Sequence, residues 1–97
     1  MLELLYYDTI VGYVSKVLHD DGAWFTGDIE LSSASDDMRS FFEYLVDEND
    51  IVEIKWPPGW IDENNWSLRD TESSAIRGIS LPAIYLDDGS IYWRWRE

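Results

Sequence analysis

The sequence predicts an α+β domain in which an antiparallel sheet of about five strands carries one helix, residues 36–48, packed on one face. Two kinds of observation support this prediction. One stretch shows helical spacing of apolar residues, and two pairs of strand-like stretches are each joined by an Asp-Gly step. The 97 residues, 45% of them hydrophobic, suit a single domain spanning 1–97 with one modest core. A sheet that curls strongly around the helix is the alternative arrangement.

The helix is predicted from apolar side chains that recur at intervals of three and four within residues 35–48. Ser35 suits the N-cap, because its hydroxyl can accept a hydrogen bond from the first turn. Asp36 and Asp37 place negative charge at the positive end of the helix dipole. A helix of about three turns needs a sheet to cover its apolar stripe. The stripe comprises Met38, Phe41, Phe42, Leu45 and Val46.

Residues 9–18 and 23–31 are predicted to form the first hairpin, with Asp21 and Gly22 at the centre of a type I′ turn. This turn sets the register and directs the alternating apolar side chains to one face. The predicted pairs on that face are Leu18 with Phe25, Val14 with Ile29, and Gly12 with Leu31. The same register places Lys16 on the core face opposite Gly27, where a charge requires an edge or a partner.

Segments outside the predicted helix and hairpins give less regular patterns. Residues 2–7 are ambiguous between a strand and a helical turn, and residues 51–56 indicate a strand. Residues 60–74, polar with isolated tryptophans, predict a long surface loop, a type of segment that often carries function. Residues 75–81 indicate one more strand, interrupted by a glycine.

The second hairpin is predicted from residues 82–87 and 90–95, joined by Asp88 and Gly89. Its register puts the tryptophans of the last strand inside, and Arg94 and Arg96 outside beside two tyrosines. The predicted pairs are Leu86 with Ile91, Ile84 with Trp93, Pro82 with Trp95, and Tyr85 with Tyr92.

Charge is the strongest functional indication. Twenty acidic residues against seven basic ones give a net charge of −13. Residues 1–50 hold twelve acids and two bases, a net −10. This charge repels nucleic acids and anionic membranes and attracts basic protein surfaces. The competing interpretation is that the acidity only keeps a small protein soluble.

The residue types in the sequence give little support for catalysis or metal binding. The chain has no cysteine, and His19 is its one histidine. Glu30 and Glu53 are candidate paired carboxylates for glycoside hydrolysis, but nothing distinguishes them from the other acids. We therefore expect no enzyme, no cofactor and no metal site. The aspartates of the two hairpin turns could form a calcium site, but turn formation explains their presence better. These residues are Asp20, Asp21, Asp87 and Asp88.

The leading hypothesis is a small acidic binding protein that engages a basic protein partner, of the immunity-protein, inhibitor or nucleic-acid-mimic type. A small-ligand or carbohydrate module using exposed tryptophans is the first alternative, and self-association through a sheet edge is the second. The proposed steering acids are Asp20, Asp21, Asp28, Glu30, Asp36 and Asp37. The proposed aromatic anchors are Trp24, Trp60 and Trp66.

No signal-peptide pattern begins the chain, and no apolar run reaches the ~18 residues of a membrane span. A cysteine-free chain fits a reducing compartment. The expected location is the cytoplasm, without nucleic acid or membrane as partner.

Overall fold

A computed structural model describes residues 1–32, 36–46 and 58–96. Within these ranges the sheet has seven strands, and one α-helix accompanies two 3₁₀ turns, Pro58–Ile61 and Glu63–Asn65. The helix, α1, spans Asp36–Val46. The strands are β1 Leu2–Tyr6, β2 Thr9–Asp21, β3 Trp24–Leu31, β4 Trp66–Asp70, β5 Ile76–Gly78, β6 Ala83–Tyr85 and β7 Ser90–Arg94.

All strand pairs are antiparallel, in the order β5-β4-β1-β2-β3-β7-β6. The sheet curls until the chain after β5 meets the end of β7. Ile79 forms a bridge with Trp95, and the amide of Ser80 donates to the carbonyl of Arg94 at 2.9 Å. The α+β class is thus confirmed, in the curled form of the sheet.

The predicted count of about five strands is wrong. The ambiguous residues 2–7 contain β1, and the predicted loop 60–74 contains β4. Trp66 and Leu68 alternate with polar residues, and this period of two directs both side chains inward. The predicted strand at residues 51–56 lies outside the described residues.

The helix prediction is confirmed over Asp36–Val46, while Ser35 and residues 47–48 lie outside the described part of the chain. Phe41 and Phe42 are fully buried. Their ring centroids lie 6.5 and 5.7 Å from that of Trp66. Helix α1 packs beside β6, so its apolar stripe closes the concave side of the sheet. The helix is not long and apolar enough to cross a membrane, and the other described helical turns are shorter still.

The first hairpin follows the predicted register only at its base. The pairs Gly12 with Leu31 and Val14 with Ile29 are confirmed. Beyond Ser15 the register shifts by one residue, because an extra residue is inserted in β2 at Lys16 and Val17. As a result His19 lies opposite Phe25, and Leu18 lies opposite Thr26.

A left-handed backbone at Lys16 (φ 54°) produces this bulge. Gly27 accommodates it, because a Cβ there would lie 2.8 Å from the carbonyl oxygen of Ser15 and 2.9 Å from a methyl of Val14. A second shift follows His19, and Asp21 pairs with Trp24. The turn is therefore formed by residues 22 and 23 rather than 21 and 22, with positive φ at Gly22 alone, as in a type II′ turn.

The second hairpin differs from its predicted register by two residues. Ile84 lies opposite Ile91, Tyr85 opposite Ser90, and residues 86–89 form a four-residue loop. Because side chains alternate with a period of two, this shift leaves every side chain on its predicted face. Ile84, Ile91 and Trp93 are fully buried, as expected.

Candidate functional site

The six acids proposed from the sequence as steering residues do not lie together in the structure. Asp28 and Glu30 lie on the outer, convex face of β3, and Asp20 lies near the end of β2. Asp36 and Asp37 begin α1, which packs on the opposite side of the sheet. The side chain of Asp21 lies outside the described part of the structure.

Two of the acids on the convex face pair with bases. The carboxylate of Asp28 lies 3.5 Å from the ammonium of Lys16, and that of Glu3 lies 2.7 Å from Nε of Arg69. The pKa of Arg69 is raised, chiefly because its guanidinium donates a hydrogen bond to Glu3. The convex face therefore carries both signs of charge.

The three tryptophans proposed as anchors have three different environments. Trp24 is 40% exposed, and the guanidinium carbon of Arg94 lies 5.1 Å from its ring centroid. Trp60 is half-buried, with its ring centroid 5.5 Å from that of Phe41. Trp66 is fully buried, and its Nε1 donates to the carbonyl of Trp60 at 2.9 Å. A fully buried Trp66 does not offer its ring as the proposed anchor, because it belongs to a strand and not to the predicted loop.

The two C-terminal arginines also differ from expectation. Arg94 stacks on Trp24 rather than on the tyrosines. Arg96 donates to the carbonyls of Ile79 and Trp66, at 2.7 and 3.0 Å, so it holds the closure of the sheet together. Neither side chain forms an ion pair with a described residue, although the chain is strongly acidic.

A concave surface that the sequence did not reveal lies between α1 and the β6–β7 loop. This acidic groove has a volume of about 500 Å³. Its apolar part comes from the last turn of α1, the buried Ile84 and the half-buried Leu86. The described residues that line it are Glu43, Val46, Ile84, Tyr85, Leu86, Asp87 and Asp88.

The backbone of the β6–β7 loop fixes the position of the groove acids. The amides of Asp88 and Gly89 both donate to the carbonyl of Tyr85, at 3.2 and 2.9 Å. Gly89 adopts a left-handed conformation (φ 65°), and its carbonyl accepts a hydrogen bond from the amide of Ile29 at 2.8 Å. The loop is thereby tied to both of its neighbouring strands, β6 and β3.

A second depression adjoins the groove on the convex side. This tyrosine cleft has a volume of about 220 Å³ and is lined by Tyr85, Asp88, Ser90 and Tyr92. The two rings stand nearly perpendicular, with centroids 5.7 Å apart and an interplanar angle of 86°. Tyr85 and Asp88 line both depressions, so the acidic groove and the tyrosine cleft form one continuous surface.

Every charged residue described in this surface is an acid: Glu43, Asp87 and Asp88. All three are exposed, and none pairs with a base among the described residues. No group of three or more potential metal ligands occurs in the described ranges. Among the described residues, the surface therefore combines negative charge that no base compensates with apolar and aromatic walls.

Sequence reasoning missed this surface because it assigned Asp87 and Asp88 to turn formation alone. The available signal was the second Asp-Asp-Gly motif, which follows a hydrophobic Tyr85-Leu86 step. Only the packing of α1 beside β6 brings Glu43 to these residues.

Comparisons of the chain with protein-family profiles, with curated proteins and with solved structures find no match.

Proposed function

We propose that this protein is a small acidic binding protein that captures a basic segment of a partner protein in the acidic groove. One observation carries the proposal. The groove is lined by three unpaired carboxylates and by no base among the described residues, above an apolar floor.

The two parts of the groove would act at different stages of binding. Carboxylates raise the local concentration of a cationic partner and orient its approach, an effect that weakens with salt. Affinity then requires removal of apolar surface from water, and the side chains of Val46, Leu86 and Tyr85 provide that surface. The expected ligand segment alternates cationic with apolar side chains.

The net charge of −13 supports a basic protein over a nucleic acid or an anionic membrane, since both of these would be repelled. An immunity protein, an inhibitor or a nucleic-acid mimic fits this class. The absence of cysteine from the sequence is consistent with action in the cytoplasm.

The test compares capture by three forms of the immobilised protein at low and at physiological salt. One is wild type. The groove variant carries Glu43→Gln, Asp87→Asn and Asp88→Asn. The control variant carries Asp20→Asn, Glu30→Gln and Asp36→Asn, which removes the same charge at exposed positions outside the groove.

The proposal predicts a basic protein that wild type and the control variant retain at low salt and that the groove variant loses. Equal loss by both variants would show that general acidity, and not the groove, attracts the partner. Retention by all three forms would contradict a role for these carboxylates.

A carbohydrate or small-ligand module receives less support from the tryptophans. Of the three proposed anchors, Trp24 alone is exposed, and Arg94 lies over its ring. Self-association through a sheet edge or exposed aromatics stays a prediction, and sedimentation over a range of concentrations tests it.

A further inference from the structure

The tyrosine cleft has the chemistry to receive one cationic side chain. Its two rings form perpendicular walls, and aromatic faces attract cations through the quadrupole of the ring. Asp88 adds a carboxylate, and Ser90 lines the same cleft with a hydroxyl. The cleft has a volume of about 220 Å³ and is open to solvent, so one long side chain of a partner can enter it.

Arginine fits these features better than lysine. A planar guanidinium can stack on one ring while it directs two parallel N–H groups at a carboxylate. An ammonium is a point charge that is strongly hydrated and cannot form a bidentate pair. Tyr85 and Asp88 also line the acidic groove, so a segment bound there passes directly beside the cleft.

We infer that the tyrosine cleft is a specificity pocket for an arginine side chain of the partner. The guanidinium stacks on one of the two perpendicular tyrosine rings, Tyr85 or Tyr92, and Asp88 accepts its hydrogen bonds. This inference rests on the proposed function, since the arginine belongs to the basic segment in the groove. It adds that the partner presents arginine, and not lysine, at this position.

The experiment uses N-acetyl-arginine amide as the probe, followed by NMR on the full chain with the ring protons of Tyr85 and Tyr92 and the side-chain signals of Glu43 and Val46 assigned. N-acetyl-citrulline amide is the matched neutral control, because it preserves the shape and removes the charge. N-acetyl-lysine amide tests the preference for guanidinium. The protein variants are Tyr85→Leu, Asp88→Asn and, as a control in the exposed β4–β5 turn, Glu72→Gln.

We expect arginine to shift both tyrosine rings saturably, lysine to do so more weakly, and citrulline to have no effect. Tyr85→Leu and Asp88→Asn should each weaken binding about 2- to 5-fold, the range for an exposed cation–π contact. Glu72→Gln should bind as wild type.

Equal shifts with citrulline would overturn the inference, as would an affinity unchanged by both cleft variants. Shifts confined to Glu43 and Val46 would also overturn it while leaving the acidic groove as a binding site. Arginine binding in the cleft, together with failure of the capture experiment, would retain the pocket and reject the proposed function.

Discussion

The two hairpins β2–β3 and β6–β7 share an Asp-Asp-Gly motif and use it differently. In the first, Asp20 and Asp21 end β2, and the two-residue turn is displaced to Gly22 and Ala23. In the second, residues 87–89 belong to a four-residue loop that closes with Gly89. The same local motif therefore gives two turn geometries, and the packing of the neighbouring strands selects between them.

The register differences show why the size of a shift matters. In the first hairpin a one-residue bulge moves Leu18 from the predicted core face to the convex face, where it is 66% exposed. In the second hairpin a two-residue difference keeps Ile84 inside. An odd shift exchanges the faces of a strand, and an even shift preserves them.

The two hairpins also differ in what they contribute to the proposed binding surface. In the second hairpin Asp87 and Asp88 line the acidic groove together with residues of α1. In the first, Asp20 is exposed and lines neither the groove nor the tyrosine cleft. The same three-residue motif thus contributes to the proposed binding surface in one hairpin and does not in the other.

The largest predicted effect compares two aliphatic truncations. Ile84→Ala removes a fully buried side chain and should destabilise the protein by about 2–5 kcal/mol. Leu18→Ala removes an exposed one and should change stability by no more than about 0.5 kcal/mol. Chemical denaturation measures the free energy of unfolding of both variants. A loss of about 2–5 kcal/mol in Leu18→Ala would contradict the bulge and support the regular register, in which Leu18 is buried.

Gly27→Ala tests the bulge directly. The added methyl would lie under 3.0 Å from the Ser15 carbonyl oxygen and from the Val14 side chain, so the strands must move. We expect destabilisation of about 1–3 kcal/mol, the usual cost of overpacking. Chemical denaturation compares the stability of Gly27→Ala with that of Thr26→Ala, a substitution at the adjacent, half-buried position. A stability equal to that of wild type would show that the bulge is not formed.

The two turn glycines provide a smaller effect. Gly22 and Gly89 both have positive φ, so an alanine at either should cost about 1–2 kcal/mol. Their functional consequences should differ, because the carbonyl of Gly89 anchors the loop that carries Asp87 and Asp88. Gly89→Ala should weaken binding of a basic peptide, and Gly22→Ala should not. If fluorescence anisotropy gave equal peptide affinities for Gly89→Ala and Gly22→Ala, the result would contradict a role of the β6–β7 loop in binding.

The smallest effect concerns the turn between β4 and β5, which begins at Asp70. The pKa of Asp70 is lowered because its carboxylate accepts hydrogen bonds from the amides of Glu72 and Ser73, at 2.8 and 3.4 Å. Because the folded-state pKa lies below the unfolded one, the stabilisation is present above the ordinary aspartate pKa of about 3.9 and is lost as pH falls below it.

Asp70→Asn removes that pH dependence. Denaturation of wild type and Asp70→Asn between about pH 5 and pH 2 should show a stability difference that shrinks on acidification. A difference that is constant across this range would contradict the role of the carboxylate.

The sequence was most informative where local pattern and tertiary packing agree. Helix α1 and the inward alternation of Ile84, Ile91 and Trp93 follow directly from apolar periodicity. The bulge in β2 had a signal, since Lys16 on a core face opposite Gly27 contradicts a regular strand. β4 was missed because its apolar residues are few and lie among polar neighbours.

The candidate site could not be read from the sequence, because it joins segments that are distant in the chain. Glu43 meets Asp87 only through the packing of α1 beside β6. Acids chosen from local charge density, such as Asp28, are instead paired or dispersed. Composition predicts an acidic surface, but tertiary contacts decide which acids share it.

The most direct test of the proposed groove compares two isosteric double variants of the hairpin motif. Asp87→Asn with Asp88→Asn alters the groove, and Asp20→Asn with Asp21→Asn removes the same charge from the other hairpin. Fluorescence anisotropy would measure their binding of one peptide that alternates leucine with arginine. We predict an affinity loss of about 3- to 10-fold for the first variant beyond that of the second. Equal affinities of the two variants would contradict the groove.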